Sequence, residues 1–213
     1  MNESIMNLVC SRYHVTPRDP GEYARIRKNM MDFHIQSFTV EGIGNLSLVD
    51  MTGMMGMMKM QTAVLTPLYK DMPLFSGDLI AAMGKDTILL ELYDTQLSSC
   101  DVSRLDEIKS RYAYLPDNDL GKNWYDHLKL PASLSKKGKK LSSDFERLTE
   151  EYFRVYLDLL DKADDCDPSE KQAKVREYTD GLLENGGPAI DQFKKLIGDQ
   201  KAAELFEVFI FAS

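Results

Sequence analysis

One aspartate occupies an unusual place for its residue type. Asp78 lies in the segment PLFSGDLIAAMG (residues 73–84), among leucine, phenylalanine, isoleucine and alanine. The interior of an apolar strand disfavours aspartate, and a carboxyl group against apolar surroundings has a raised pKa because its anion is poorly solvated. Asp78 is therefore a candidate proton donor. The alternative is that its side chain points to solvent or caps a neighbouring loop.

A run of methionines forms the second unusual segment. MTGMMGMMKM (residues 51–60) contains six of the twelve methionines of the chain. Methionine is flexible and polarizable and packs well against conjugated rings, so this run would suit a pocket for a flat ligand, with Met57 and Met60 as candidate binding residues. The alternative is that the run fills irregular core space. A soft-metal site is not expected, because no cysteine or histidine is interleaved.

The sequence lacks the motifs of several common metal-binding, nucleotide-binding and catalytic sites. The three histidines are isolated, and neither HxxxH nor HExxH occurs, so no zinc site is expected. The phosphate-binding patterns GxGxxG and GxxxxGK are absent, as is GxSxG. The sequence therefore predicts no resident metal and no nucleotide bound through such loops.

Composition narrows the class of protein. The chain has 213 residues, a formal net charge of −8 and a pI near 5.0, which argues against general nucleic-acid binding. Its three cysteines are far apart and form no CxxC pair, so a disulfide framework is not expected and the cytoplasm is the expected location. The first residues do not read as a signal peptide. No apolar stretch reaches 18 residues, so no membrane partner is expected.

Hydrophobic periodicity predicts a sheet followed by helices. Apolar alternation and short turn-forming links predict an antiparallel meander of five strands. Three-to-four spacing predicts helices later in the chain, and a short basic helix is predicted at residues 21–31. The predicted strands are 33–40, 46–51, 57–66, 73–84 and 86–95; the later helices are 102–114, 148–163, 170–186, 189–198 and 202–213; residues 131–143 are predicted to be a polar basic loop.

These elements indicate the fold class. The strands are apolar enough to need cover on both faces, which places helices on both sides of the sheet. The sequence therefore predicts an α+β fold, a three-layer α/β/α sandwich with a central antiparallel sheet. Residues 1–213 are expected to form a single domain.

Two segments resemble the ferredoxin-dependent bilin reductases. DMPLFSGDLIAAMGKDTILLELYD (residues 71–94) is similar to the segment of that family that carries a central aspartate before a glycine turn and a further strand. GGPAIDQFKKLIGDQKAAELFEVFIF (residues 186–211) resembles the family's C-terminal segment, and Arg27-Lys28 resembles an Arg-Lys pair near its N-terminus. The resemblance covers roughly residues 20–95 and 145–213.

The resemblance implies both a fold and a reaction. It implies an α/β/α sandwich that binds an open-chain tetrapyrrole between the sheet and the C-terminal helices, with no flavin or metal bound. Electrons would arrive singly from an external ferredoxin or flavodoxin while the protein supplies protons. Asp78 matches the central acid of the family. Phe75 and Phe193 lie in the two matching segments and are expected to contact the substrate.

Three positions depart from the family pattern. Gln61 aligns with a position that holds histidine or asparagine in relatives, and it is expected to contact the substrate as an amide. A glutamate of some relatives aligns beside Asp50, which would serve as a second catalytic acid, and Gly187 replaces an acid before Pro-Ala. These departures leave an alternative open: a non-catalytic tetrapyrrole-binding protein, or an interaction protein on the same fold.

An acidic electron donor would need a basic docking surface. Positive residues concentrate in three parts of the chain, each of which would otherwise be a solvated face. They are Arg25, Arg27 and Lys28; Lys136, Lys137, Lys139 and Lys140; and Lys194 and Lys195.

Overall fold

Alternating apolar side chains build one antiparallel sheet of eight strands. The computed structural model describes residues 1–213. The predicted five-stranded meander is confirmed as β3 to β7, and the sheet order is β1-β3-β4-β5-β6-β7-β8, with β2 also paired to β3. The strands are β1 (Val15–Arg18), β2 (Arg25–Lys28), β3 (Met31–Val40), β4 (Gly44–Gly53), β5 (Met58–Pro67), β6 (Leu74–Ala82), β7 (Lys85–Tyr93) and β8 (Leu134–Gly138).

Six α-helices cover the sheet. One precedes the strands and five follow the meander, and the last continues into a π-helical turn, Leu205–Ile210. The helices are α1 (Asn2–Cys10), α2 (Ser103–Arg111), α3 (Ser142–Leu160), α4 (Pro168–Asn185), α5 (Pro188–Ile197) and α6 (Asp199–Glu204). The α4 helix begins with a capped first turn, in which Asp167 accepts hydrogen bonds from the N–H groups of Ser169 and Glu170 and Pro168 occupies the first position.

Two hydrophobic cores lie on opposite faces of the sheet. The first core joins the sheet to α1, α2 and α3, and Phe75 is fully buried there, with its ring centroid 4.9 Å from that of Phe153 and 5.4 Å from that of Tyr156. The second core joins the sheet to α4, α5 and α6, with the rings of Phe33 and Phe193 4.9 Å apart. The predicted three-layer α/β/α sandwich is thus confirmed.

Buried polar side chains fasten the end of the chain to β3 and β4. The amide of Asn45 donates to the carbonyl oxygens of Phe209 (3.2 Å) and Ile210 (3.3 Å), and the hydroxyls of Ser37 and Ser47 also donate to Phe209. These carbonyl groups belong to the π-helical turn and its end, where backbone acceptors lack regular helical partners. The C-terminal layer is therefore anchored to this half of the sheet.

The N-terminal region differs from the sequence prediction. Residues 21–31 are not a helix: Gly21–Ala24 form a 3-10 turn and Arg25–Lys28 form β2, which pairs with β3 through a tight turn at Asn29 and Met30, with φ values of 53° and 60°. The helix in this region is α1. Pairing with β3 decides the structure here, because β2 has only four residues and three of them are charged.

The predicted loop at residues 131–143 contains a strand. Leu134–Gly138 form β8 and extend the sheet beyond β7. The alternation is short but regular, since Leu134 and Lys136 are buried while Lys137 is exposed. Lys136 lies buried because its ammonium group donates to Asp117 (2.6 Å) and to the carbonyl oxygen of Leu115 (3.1 Å). The polar composition of this segment therefore gave no sign of the strand, because one of its lysines, Lys136, is buried with its own hydrogen-bond partners.

None of the helices is both long and apolar enough to cross a membrane.

Truncation of Phe75 tests the first core. Phe75→Ala is expected to lower the free energy of unfolding by about 3–5 kcal/mol, because it leaves a cavity among three aromatic rings. Urea denaturation followed by circular dichroism measures this loss. The control is Met57→Ala, at a side chain with 59% exposure, which is expected to change stability by less than about 0.5 kcal/mol. Equal losses in the two variants would contradict this description of the core.

Candidate functional site

Strand alternation decides which face Asp78 occupies. Leu74, at the start of β6, belongs to the second core, and Asp78 lies four residues further along the same strand. Side chains separated by an even number of residues share a face, so Asp78 points toward the layer of α4, α5 and α6. Its cross-strand partners on that face are Thr62 in β5 and Leu89 in β7.

The C-terminal helices leave part of this face uncovered. Asp78 and both of its cross-strand partners are partly exposed, whereas the residues next to them that point to the other face, such as Gly77 and Leu90, are buried. Ile80 and Leu89 belong to neither core. We call this surface the open sheet face; its partly exposed residues are Met58, Met60, Thr62, Ser76, Asp78, Ile80, Ala82, Thr87, Leu89 and Ser135.

The surroundings of Asp78 favour its protonated form. Desolvation raises the pKa of Asp78, the hydroxyl of Thr62 lowers it by donating a hydrogen bond to Oδ1, and the negative charge of Glu91 raises it. The net result is a pKa of about 6. A carboxyl group with this pKa keeps a protonated fraction near neutral pH. Asp78 can therefore act as a proton donor to a ligand on the open sheet face.

Glu91 is a second acid on the same face, and it was not predicted from the sequence. It lies two residues beyond Leu89 on β7 and is buried. The hydroxyl of Tyr93 donates to its Oε2 (2.6 Å), and the ammonium group of Lys129 lies 2.7 Å from its Oε1. These contacts satisfy the carboxylate and fix it diagonally across from Asp78. The sequence signal was a glutamate inside the apolar run ILLELY.

Aromatic side chains border the open sheet face beside Glu91. The rings of Tyr93 and Tyr178 are stacked with centroids 4.4 Å apart, and Tyr125 meets Tyr93 edge-on at 6.2 Å. The ammonium group of Lys129 lies 4.9 Å from the centroid of the Tyr125 ring. Trp124 packs on α4 at Gly181, where an added Cβ would lie 2.5 Å from the indole ring. The 3-10 segment Trp124–Leu128 thus forms a packed wall at this border.

The residues that the sequence predicts to contact a ligand do not all lie on the open sheet face. Met60 shares the open sheet face with Asp78. Phe193 lies in the C-terminal layer but is buried in the second core against Phe33 and Phe206. Met57 lies in the turn before β5 and is largely exposed. Of these three predicted ligand-binding residues, the structure therefore places only Met60 on the sheet next to Asp78 and its cross-strand partners.

Asp50, Gln61 and Phe75 point to the opposite face. The amide of Gln61 donates to Asp50 (2.8 Å) and accepts from the α-amino group of Met1 (2.9 Å), which lies in the α1 layer. Gln61 directly precedes Thr62 on β5, and consecutive strand residues point to opposite faces. The structure therefore does not bring Asp50, Gln61 or Phe75 together with Asp78, and their predicted roles stay predictions from the sequence.

Two clefts lie near the borders of this face. One, of about 200 Å³, is lined by residues that include Tyr93, Trp124, His127, Lys174 and Tyr178. The other, of about 310 Å³, is lined by residues of the β2–β3 and β4–β5 turns. No group of three or more histidine, cysteine, aspartate or glutamate residues is arranged to hold a metal ion.

The fold is shared with a solved structure. Phytochromobilin synthase from tomato, in a crystal structure of its complex with biliverdin, matches 99% of this chain and 80% of its own chain, with a TM-score of 0.75 and 16% sequence identity. At this identity the likeness shows the fold alone. No protein-family model matches the chain, and no curated protein matches it.

The raised pKa of Asp78 predicts how stability depends on pH. The folded protein binds the Asp78 proton more tightly than the unfolded chain, whose aspartate pKa is near 3.8. The contribution of Asp78 is therefore most favourable below about pH 4 and is lost as the pH rises to about 6. At pH 8, Asp78→Asn is expected to be more stable than the natural chain by up to about 3 kcal/mol.

Urea denaturation at pH 4.5 and pH 8 measures this difference. The gain in Asp78→Asn is expected to be larger at pH 8. Asp144→Asn, at a partly exposed residue of α3 paired with Arg147, is the control and is expected to show no such gain at pH 8. A gain in Asp78→Asn that does not depend on pH would contradict a raised pKa.

Removal of the Glu91 charge is expected to lower the pKa of Asp78. Glu91→Gln keeps the size of the side chain but removes the nearby negative charge, so the titration midpoint should fall from about 6 by up to about one pH unit. Carbon-13 NMR of the Asp78 carboxyl group, assigned with Asp78→Asn, measures the midpoint. Tyr93→Phe keeps the Glu91 charge and is the control. An unchanged midpoint in Glu91→Gln would show that Glu91 has no influence on Asp78.

Proposed function

We propose that this protein binds a linear tetrapyrrole on the open sheet face and reduces it in one-electron steps, with Asp78 as the proton donor. The observation that carries the proposal is a carboxyl group of raised pKa on a partly exposed sheet face, with apolar side chains on the neighbouring positions. The shared fold with a structure that contains biliverdin supports the choice of ligand class.

The shape of the open sheet face suits a flat conjugated ligand. It extends over four adjacent strands, β5 to β8, which is about 15 Å across at the usual strand spacing. Met60, Ile80 and Leu89 offer apolar contacts, and thioether groups pack favourably on π systems. The aromatic wall at Tyr125 closes one border. A planar chain of linked pyrroles would therefore lie on the sheet with Asp78 beneath it.

Asp78 would supply the proton that accompanies each electron. Protonation of the ligand makes it a better electron acceptor, and a neutral carboxyl group can donate that proton. A ligand that covers Asp78 removes water and raises its pKa further. In each step one electron arrives from an external ferredoxin or flavodoxin, one proton passes from Asp78 to the ligand, and solvent returns a proton to Asp78.

A non-catalytic tetrapyrrole-binding protein is the second candidate function. It is favoured by the position of Asp50 and Gln61 on the opposite face, which leaves Asp78 as the one acid of the open sheet face that is neither buried nor paired with a cation. Both candidates predict that the protein binds a bilin. Only the enzyme also consumes the bilin when it is supplied with reduced ferredoxin.

Substitution of the two aspartates tests the proposal. Biliverdin is added to the purified protein, and absorption spectra report its binding. Under anaerobic conditions with reduced ferredoxin, the natural chain is expected to bleach or shift the bound spectrum as turnover proceeds. Asp78→Asn is expected to retain binding and to lose at least about 100-fold in rate, since the proton donor is gone. Asp50→Asn is expected to retain most of the rate.

The two variants also decide which face carries the chemistry. A large loss of rate in Asp50→Asn, with full activity in Asp78→Asn, would place the reaction on the α1 side of the sheet and contradict the proposal. Binding of biliverdin without turnover in the natural chain would select the non-catalytic candidate. Absence of any spectral change would exclude both.

A further inference from the structure

One end of the sheet gathers three turns that are rich in methionine. The turns β2–β3 (residues 29–30), β4–β5 (54–57) and β6–β7 (83–84) all lie at this end, because successive strands of the meander reverse direction. We call this surface the turn end. The last turn follows Ala82, four residues beyond Asp78 on β6.

Exposed methionines dominate the turn end. Five of the ten large hydrophobic side chains that the whole chain exposes are located there, with exposed fractions from 44% to 90%. An apolar cluster of this kind in solvent marks an interaction surface. The five residues are Met30, Met54, Met55, Met57 and Met83.

Four of these methionines adopt a backbone conformation that their residue type disfavours. The φ angles of Met30, Met54, Met55 and Met83 lie between 50° and 60°, in the left-handed region. Glycine or asparagine would occupy such turn positions with less strain. The chain therefore exposes thioether side chains at a cost in backbone conformation, and core packing does not account for it because these side chains lie in solvent.

Unpaired lysines surround the methionines. Lys59, Lys85 and Lys139 are exposed at the turn end and form no ion pair, and Lys137 and Lys140 are exposed beside them without a partner. The pairing of Asp86 with Gly138 brings the basic segment after β8 to the same end as the β6–β7 turn. Two parts of the chain more than fifty residues apart thus form one positive surface.

The two acidic residues of the strands at the turn end, Asp32 and Asp86, have partners other than the lysines. Asp32 pairs with Arg25 (2.6 Å) and Arg27 (2.9 Å). Asp86 accepts hydrogen bonds from the N–H group of Leu141 (2.9 Å) and the hydroxyl of Ser142 (3.1 Å). The lysines therefore keep their charge available for a partner, although the whole chain carries a net charge of −8.

We propose that the turn end is the docking surface for an acidic electron-carrier protein, which contacts the exposed methionines while its carboxylates meet the unpaired lysines. This inference rests on the proposed function, because it names the partner that would supply the electrons. Complementary charge steers association and fixes orientation, and methionine adapts to the surface of a partner. A carrier docked there would lie about 15 Å from Asp78 along β6.

A membrane surface is the other partner that basic and apolar residues could recognise. Membrane-binding surfaces usually insert tryptophan, phenylalanine or leucine alongside their basic residues. The exposed apolar residues of the turn end are methionines instead. The position of the surface at the end of the strand that carries Asp78 also favours an electron carrier.

Charge reversal tests the docking surface. A plant-type [2Fe–2S] ferredoxin is titrated into the biliverdin-loaded protein, and NMR line broadening or calorimetry measures its affinity. Lys85→Glu and Lys139→Glu are each expected to weaken binding at least about fivefold at low salt, with a reduced dependence on salt concentration. The matched control is Lys162→Glu, because Lys162 is exposed and unpaired just beyond the C-terminal end of α3. It is expected to leave the affinity unchanged.

Substitution of a strained methionine tests the apolar contribution. Met55→Gly suits the local backbone, so its melting temperature is expected to stay the same or to rise, while its affinity for ferredoxin falls about threefold or more. A role in folding alone would give the opposite result, with a lower melting temperature and unchanged affinity. That result would overturn the proposed contribution of the methionines.

A small one-electron reductant separates this inference from the proposed function. Reduced methyl viologen needs no docking surface, so turnover with it should be equal in the natural chain, Lys85→Glu and Lys139→Glu. Ferredoxin affinity that is unchanged in both lysine variants overturns the docking surface, whether or not biliverdin is reduced. Loss of turnover with methyl viologen in the natural chain contradicts the proposed function instead. Binding of anionic vesicles, but not of ferredoxin, through these lysines would also overturn the inference.

Discussion

The two-residue period of the strands governs what this molecule can do. A single antiparallel sheet forms the middle layer of the fold. Its register aligns Thr62, Asp78, Leu89 and Ser135 across four strands on one face. Neighbouring residues on the same strands point to the other face and build the first core. A register shift of one residue would exchange the two sets. The site therefore depends on correct strand pairing more than on any single contact.

The surroundings of Asp71 and Asp78 show how the environment selects the protonation state of an aspartate. Desolvation acts on Asp71 as well, but the hydroxyl of Ser98 and the N–H groups of Leu97 and Ser98 donate to it, and the net effect is a lowered pKa. Asp78 receives one hydrogen bond from a side chain, that of Thr62, and its pKa rises. The number of donors, together with the positive charge of Lys171 at 3.3 Å from Asp71, thus distinguishes an aspartate that serves structure from one that can exchange a proton.

Much of the fold could be predicted because periodicity is a local signal. The five long strands and the five later helices follow patterns that their own residues display, and the position of Asp78 inside a strand followed from the apolar residues around it. The short strands β1, β2 and β8 escaped prediction because pairing with neighbours, which are distant in sequence for β8, creates them. Glu91 was missed because its partner Lys129 lies 38 residues away.

The side of the sheet on which Asp50 and Gln61 lie could not be predicted, for a different reason. An alignment by residue count compares positions along a chain but does not record which way each side chain points. Gln61 differs from Thr62 by one step along β5, and this single step moves it to the layer of α1. To group polar residues on a sheet, one must know which face each side chain points to as well as which residues are neighbours.

The anchoring of the C-terminal layer by Asn45 has a consequence for how the molecule can diversify. Its hydrogen bonds to the carbonyl oxygens of Phe209 and Ile210 hold one half of the sheet against the C-terminal helices. Insertions there would leave buried polar groups without hydrogen-bond partners. Around Asp78, Ile80 and Leu89, by contrast, the side chains of the open sheet face make no hydrogen bond to the C-terminal helices. Changes in loop length along the margin of this face would therefore reshape it while the anchored half of the sheet keeps its structure.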